Sequence, residues 1–405
     1  MTGYTSNACR GTLRAEMDAA ERNLQAGHEA LRRGDARAAR EHLQRALEAG
    51  RADAPVLLGL ATAALALNDD EIKVAALDRL LALEPRNLRA LILKADHLAK
   101  SGDLRAAVSY YQQALRTAAA RSDVPAELAP DLRRAQQMAE RYAAEYQQHL
   151  LRELTARGFD PATASRRFTQ SVDLILGRKR IYVQEPRYYY FPELPQIQFY
   201  DREQFPWLTT LEQATSDIRS ELLEVMQRPE DFAPYVQNRP NRPYKEQQGM
   251  VNNPDWTAFY LIKHGDIVAA NVERCPRTMA ALSDVPLARV ANRSPSVLFS
   301  VLKAGAHIPP HNGLVNTRLI VHLPLIVPGR CIFRVGNEVR EWQEGRAWVF
   351  DDTIEHEAWN RSDATRVILL FDIWRPELTA EERRLVAKLF ESIDAYSGRK
   401  PEWTI

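Results

Sequence analysis

Two halves of unlike composition predict an α-helical repeat stack followed by a β-domain of the jelly-roll or double-stranded β-helix type. Three observations carry that reading. A Gly-Asp or Asn-Asp dipeptide recurs at a constant interval near the N-terminus, at Gly34-Asp35, Asn68-Asp69 and Gly102-Asp103. Residues 17–120 are rich in Ala, Leu, Arg and Glu, whereas residues 180–380 hold most of the Trp and Pro and the β-branched runs. Within the second half the strand candidates are short and separated by turns, with no helices between them, as an antiparallel roll requires.

Each repeat reads as a helix, a turn and a helix. Small residues stand seven positions before each dipeptide (Gly27, Ala61, Ala95) and large ones nine positions after it (Leu43, Leu77, Tyr111). Small residues let paired helices approach, and Gly or Asn can take the left-handed conformation that ends a helix. Pro85 follows the second unit as a stop. The period resembles that of the tetratricopeptide repeat, and three degenerate copies are expected over 17–120, after an N-terminal tail, 1–16. Lys73 and Leu80 occupy places where small residues are usual. Such a stack offers a concave surface for a protein partner or carrier-bound substrate; a packing or dimerisation appendage is the competing reading.

Residues 121–180 continue helical, notably Leu132 to Leu154, and form a helical linker ending in the basic triplet Arg178-Lys179-Arg180. The β-domain is expected over 181–385, with residues 386–405 the end of a last helix and a tail. Its aromatic segment Tyr188 to Pro195 should pack on the sheets, and a helix is expected over Leu211–Met226. Strands are expected at Ser296–Leu302, Thr317–Val327, Cys331–Val335, Glu338–Trp342, Ala347–Asp351 and Thr365–Trp374, with Gly336-Asn337 as a hairpin turn. Along Thr317–Val327, period 2 puts Arg318, Ile320 and His322 on one face. Thr379 to Glu382 is a capping box opening a helix with Leu385, Leu389 and Ile393 as its apolar stripe.

The bulk numbers narrow the partners. The 405 residues allow two or three domains, and a net charge of +1 removes the electrostatic argument for nucleic acid. No apolar run approaches the length of a membrane-spanning helix, and Met1 to Arg14 lacks the apolar core of a signal peptide. Cys9, Cys275 and Cys331 are far apart, which points to a reducing, cytoplasmic setting rather than a disulfide or zinc framework.

The chemistry concentrates in histidines. Five of the nine lie beyond residue 260. His307-Ile-Pro-Pro-His311 cannot be a helical zinc pair, because Pro309 and Pro310 forbid the helix. That leaves His311 on a loop, His322 on a strand and His356 after a later strand, with His311 and His356 expected at opposite ends of the roll. Taken singly, each reads more readily as a hydrogen-bonded structural residue than as a ligand.

Four segments shift that balance: Ala306 to Gly313, Asn316 to Leu323, Phe350 to Trp359, and Asp372 to Thr379, with Asp255-Trp256 upstream. In order and spacing they resemble the aspartyl/asparaginyl β-hydroxylase family over roughly residues 185–385. The resemblance implies a cupin-type iron(II)/2-oxoglutarate oxygenase that uses O2. By that correspondence His311 and His356 would be the iron ligands, His322 and Arg366 would hold 2-oxoglutarate, and Ser300 and Trp256 would be further co-substrate contacts. Gly313 stands where a His-x-Asp motif would put a third, acidic ligand, as the family's pattern has it. Asp351 and Asp352 are expected in a turn or behind the ligands. One departure is Ile320, where the family often has an Arg; Arg318, on the same face, is expected to compensate in co-substrate binding or to grip the substrate. Arg366 suits its role because a guanidinium forks onto a carboxylate.

The implied reaction puts a hydroxyl on the β-carbon of an aspartyl or asparaginyl residue, with succinate and CO2 as co-products. The same chemistry could act on a free amino acid, a natural-product intermediate or a lipid acyl chain, although the lack of a membrane segment weighs against lipid. From another class, the chain could be a repeat-based adaptor without activity; the intact His311, His356 and Arg366 argue against that.

Overall fold

The computed structural model describes residues 6–237 and 249–397, with side chains from Met17 to Tyr396. Residues 1–5 of the expected N-terminal tail and 398–405 of the C-terminal one lie outside the described residues, and residues 6–16, expected as tail, instead begin the first helix. The chain forms two compact units, one up to Leu176 and one from Gly177.

The first unit is helical: α1 (Ser6–Arg32), α2 (Ala36–Glu48), α3 (Ala54–Ala66), α4 (Asp70–Leu83), α5 (Leu88–Lys100), α6 (Leu104–Ala119), α7 (Ala129–Ala156) and α8 (Arg166–Ile175). The recurring dipeptide is the turn within each helix pair. Gly34, Asn68 and Gly102 have φ of 77°, 55° and 88°. This left-handed conformation closes the preceding helix. Each following Asp caps the next helix by offering its side chain to an otherwise unpaired N–H of the first turn. Asp35 accepts from Ala38 N at 3.0 Å, Asp69 from Ile72 N at 3.2 Å and Asp103 from Ala106 N at 3.1 Å. The small residues face the large ones as expected. A Cβ at Gly27 would fall 2.7 Å from Leu43 Cγ, and Ala61, Leu77, Ala95 and Tyr111 are all buried. Lys73 is buried too, its ammonium bonded to Asp70.

The second unit holds α9 (Leu208–Gln213), α10 (Thr215–Val225), α11 (Ala269–Val272), α12 (Pro276–Ala281), α13 (Ala380–Ser397) and two antiparallel sheets. Its strands are β1 (Ala233–Pro234), β2 (Trp256–Lys263), β3 (Asp266–Ile267), β4 (Val297–Leu302), β5 (His307–His311), β6 (Arg318–Ile326), β7 (Cys331–Val335), β8 (Glu338–Glu341), β9 (Trp348–Phe350), β10 (His356–Asn360) and β11 (Arg366–Trp374). One sheet runs β1-β2-β4-β11-β6-β9 with β3 beside β2; the other runs β5-β10-β7-β8. This is the predicted fold class, a helical stack followed by a double-stranded β-roll.

Alternation on the central strands builds two cores. Leu319, Val321 and Leu323 of β6 and Val367, Leu369, Phe371 and Ile373 of β11 face away from the second sheet, packing with Leu208, Leu211, Ile218 and Leu222 of α9 and α10. Ile320, Ile368 and Leu370, on the opposite face, pack with Phe333, Val335 and Ala358 of the second sheet. The polar residues that share this inner face, Arg318, His322, Arg366 and Asp372, therefore point between the sheets.

Five strands escaped the sequence reading: the two-residue β1 and β3, and three that carry site residues. β5 and β10 carry His311 and His356, placed above on a loop and after a strand, and β2 carries Trp256. Pro309 and Pro310 are tolerated because β5 is an edge strand with one hydrogen-bonding neighbour. The last helix also differs. Its capping box forms, with Thr379 N to Glu382 Oε2 at 2.7 Å. Its buried face, however, is Val386 and Phe390, at 3% and 2% exposure, while Leu385, Leu389 and Ile393 are 50%, 40% and 39% exposed. The stripe is turned by one residue because Phe390 packs against Tyr188 and Tyr189, with ring centroids at 6.1 and 5.3 Å. That contact also anchors the aromatic segment, whose backbone donates from Tyr188 N to Leu314 O at 3.0 Å.

Candidate active site

His311 and His356 are cross-strand partners in the β5–β10 register rather than residues at opposite ends of the roll. Their ring centroids are 4.1 Å apart. His311 Nδ1 lies 2.8 Å from Pro309 O, and His356 Nδ1 lies 3.1 Å from Ile354 O. A carbonyl can only accept, so each Nδ1 carries the proton and each Nε2 keeps its lone pair. Burial pushes the His311 pKa down to about 4. Burial, then the neighbouring His311, holds His356 well below its ordinary value. Two neutral imidazoles, each oriented by a carbonyl, make a donor set that fits a divalent transition metal.

Both rings face a cavity between the sheets, and every sequence-predicted site residue lines it: Trp256, Ser300, His311, Arg318, His322, His356 and Arg366. The residues fall into two groups. At one end, Arg366 is 1% exposed and, among the described residues, has no carboxylate partner. Its guanidinium lies 4.7 Å over the Trp342 ring, and its one hydrogen bond is a long one, 3.4 Å to Ser300 O. Burial lowers its pKa to about 10. Trp256 Nε1 donates to Ser300 Oγ at 3.2 Å. Because the hydroxyl only accepts in that bond, its own proton is left to donate elsewhere. His322, held neutral by burial and then by Arg366, has its Nδ1 buried without a partner, as do Trp342 Nε1 and Arg366 Nε. A buried guanidinium and an indole with N–H groups left unpaired can receive an anion.

Arg318 belongs to the other group. It lies on β6 four residues before His322 and is ion-paired to Asp372 at 3.1 Å and to Asp352 at 3.5 Å. Burial alone would lower its pKa, but Asp372 and Asp352 lift it above its ordinary range. Burial pushes Asp352 up to about 7 against the pull of Arg318. Tyr235 lines this end and stacks on Trp256 at 4.3 Å.

The two adjacent aspartates part company. Asp351, wholly buried, accepts from Thr353 Oγ1 at 2.6 Å, Gln184 Nε2 at 2.7 Å and Arg375 Nη1 at 2.9 Å, bracing the turn before His356. Asp352 instead lines the cavity. A Cβ at Gly313 would collide with the Asp352 carboxylate, so the space beside position 313 is already filled by an acid from the neighbouring loop. Among the described residues no group of three or more His, Cys, Asp or Glu is placed to hold a metal; the site has two histidines. Trp342, Asp372 and Tyr235 escaped the sequence reading. Asp372 was within reach, since period 2 along β11 puts it on the face of Arg366.

Fold and site together define a double-stranded β-helix protein with a paired-histidine cavity. Residues 212–376 match the aspartyl/asparaginyl beta-hydroxylase family, which bears out the resemblance read from the motifs. The chain is 37% identical over 180 residues to an ornithine lipid ester-linked acyl 2-hydroxylase of Rhizobium tropici, covering 44% of this chain and 60% of that protein. It is 34% identical over 140 residues to the human aspartyl/asparaginyl beta-hydroxylase, covering 34% of this chain and 18% of that protein. It is 30% identical over 212 residues to aspartate beta-hydroxylase domain-containing protein 2 of Xenopus tropicalis, covering 51% and 55%. The match thus spans less than two thirds of each relative. No helix among the described residues is long and apolar enough to cross a membrane.

Proposed function

We propose that the second unit is an iron(II)- and 2-oxoglutarate-dependent oxygenase that hydroxylates a substrate C–H bond, acting in the cytoplasm. The observation that carries this reading is Arg366, a buried cation without a carboxylate partner among the described residues, facing the same cavity as the His311–His356 pair. The two imidazoles would hold the metal through Nε2. Arg366, with the Ser300 hydroxyl, would hold the far carboxylate of 2-oxoglutarate, and His322 would contact its near end. Iron bound there would supply O2 activation, with 2-oxoglutarate leaving as succinate and CO2 and one oxygen atom passing to the substrate. Trp256 fixes Ser300, and the apolar walls exclude water from the reacting atoms.

The substrate reading that the family match supports is the β-carbon of an aspartyl or asparaginyl residue; recruitment of a protein or carrier bearing it by the helical unit is our proposal. The Rhizobium tropici relative favours a second reading, the same chemistry on an acyl chain. The test is succinate formation by the purified chain with iron and 2-oxoglutarate, with His311→Ala as control, followed by a search for added oxygen in peptide and lipid fractions of a host lysate. Succinate should form and vanish in the variant. Iron bound to the wild type without 2-oxoglutarate turnover would refute the assignment.

A further inference from the structure

The cavity has two polar ends with opposite charge balance, and on the reading above the Arg366 end is taken by 2-oxoglutarate. The other end is left for the substrate. Among the described residues the arginine that lines it is Arg318, which is 8% exposed and faces two carboxylates, Asp352 at 4% and Asp372 at 0% exposure. Asp372 is further fixed by accepting from Ser296 N at 2.6 Å. The looser partner, Asp352, keeps Oδ1 buried without a hydrogen bond, and Arg318 keeps Nε so. Beside them stand Tyr235, Tyr260 and His264, and the next position along β6 on this face is the apolar Ile320.

We propose that this end selects a substrate group carrying N–H donors, a carboxamide or an ammonium, and turns away a free carboxylate. In a low-dielectric cavity a charge is tolerated only against its opposite, and like charges repel strongly. One guanidinium already shared by two carboxylates has no charge left for a third. An N–H group meets an acceptor instead: the Asp352 carboxylate, short of one partner.

The test uses three blocked amino acids of one shape: the N-acetyl methylamides of asparagine, aspartate and 2,4-diaminobutyrate. Their binding to the full chain is measured by calorimetry, first without metal and then anaerobically with iron(II) and 2-oxoglutarate. The asparagine or the diaminobutyrate probe should bind at least tenfold more tightly than the aspartate probe, and which of the two leads separates amide from amine. Asp372→Asn, which keeps an acceptor for Ser296 N but removes one negative charge, should improve aspartate binding about tenfold. Aspartate binding equal to or tighter than the others, no binding of any probe, or an unchanged preference in Asp372→Asn would each overturn the proposal. Succinate formation without any probe reports on the co-substrate end alone, so failure of the oxygenase reading is seen separately.

Discussion

At the scale of single residues, the two ends of the cavity differ in what their arginines lack. Arg318 is charge-paired with acids of its own chain; Arg366, among the described residues, is not. A charge-assisted, forked contact to a carboxylate contributes about 1.5–3 kcal/mol, so Arg366→Ala should raise the 2-oxoglutarate requirement roughly ten- to a hundredfold and leave the iron requirement nearly unchanged. Titrating each ligand against turnover decides this: equal losses for both would remove Arg366 from the co-substrate end. His311, His356, His322 and Trp256 were legible in the sequence because they lie within short motifs, and Ser300 and Arg366 because they stand on expected strands beside those motifs. Asp352 was legible only as a turn residue. Its aim into the cavity depends on a loop whose neighbours, Asn312 and Gly313, come from a distant part of the chain, with Asn312 Nδ2 bonded to Thr353 O at 2.9 Å.

At the scale of elements, the paired histidines are a product of strand register. His311 ends β5 and His356 begins β10, and the antiparallel ladder brings them face to face. Gly313 N donates to Asp352 O at 2.6 Å, which ties the loop after β5 to the loop before β10. A side chain at position 313 must displace the Asp352 carboxylate or the backbone beneath it. Gly313→Ala should therefore destabilise the unit by about 1–3 kcal/mol, as overpacking does, and weaken iron retention although alanine adds no ligand. Gly313→Asp should fail at least as badly, instead of supplying a third ligand. Thermal unfolding and metal content measured on both variants check this; an alanine variant with wild-type stability would show that Asp352 moves aside freely.

At the scale of the molecule, three buried neutral histidines make stability depend on acid. The folded pKa values of His311, His322 and His356 all lie below the unfolded value of about 6.5. Below that pH the unfolded chain takes up protons that the folded one refuses, so stability falls as pH drops from about 6.5 toward 4, by up to about 1.4 kcal/mol per pH unit for each histidine. Asp352, raised to about 7, acts in the opposite sense over the same window, because there the folded state holds the extra proton. Denaturant unfolding of the metal-free protein should show His311→Gln flattening the slope by about one proton and Asp352→Asn steepening it; parallel slopes in all three proteins would contradict the burial of these groups. The division at Leu176 and Gly177 leads to a second expectation. A chain beginning at Gly177 should keep 2-oxoglutarate turnover and lose efficiency only on a carrier-bound or protein substrate. Full efficiency on that substrate would give the helical unit another task.

The helical periodicity, the strand alternation and the motif residues are local properties, and the sequence by itself determined them. Gly34, Asn68 and Gly102 can end helices wherever they occur, and period 2 sorts Arg318, Ile320 and His322 onto one face of their strand before any sheet exists. What only the tertiary structure decided are the relations between distant segments. These are the facing of His311 and His356 across a register, the choice of Val386 and Phe390 over Leu385 and Leu389 as the buried face of the last helix, and the capture of Arg318 by Asp352 and Asp372. Each depends on which surface meets which after the chain closes on itself. Spacing along one strand or helix carries no record of that, because long-range packing and charge pairing are set by partners far away in the chain.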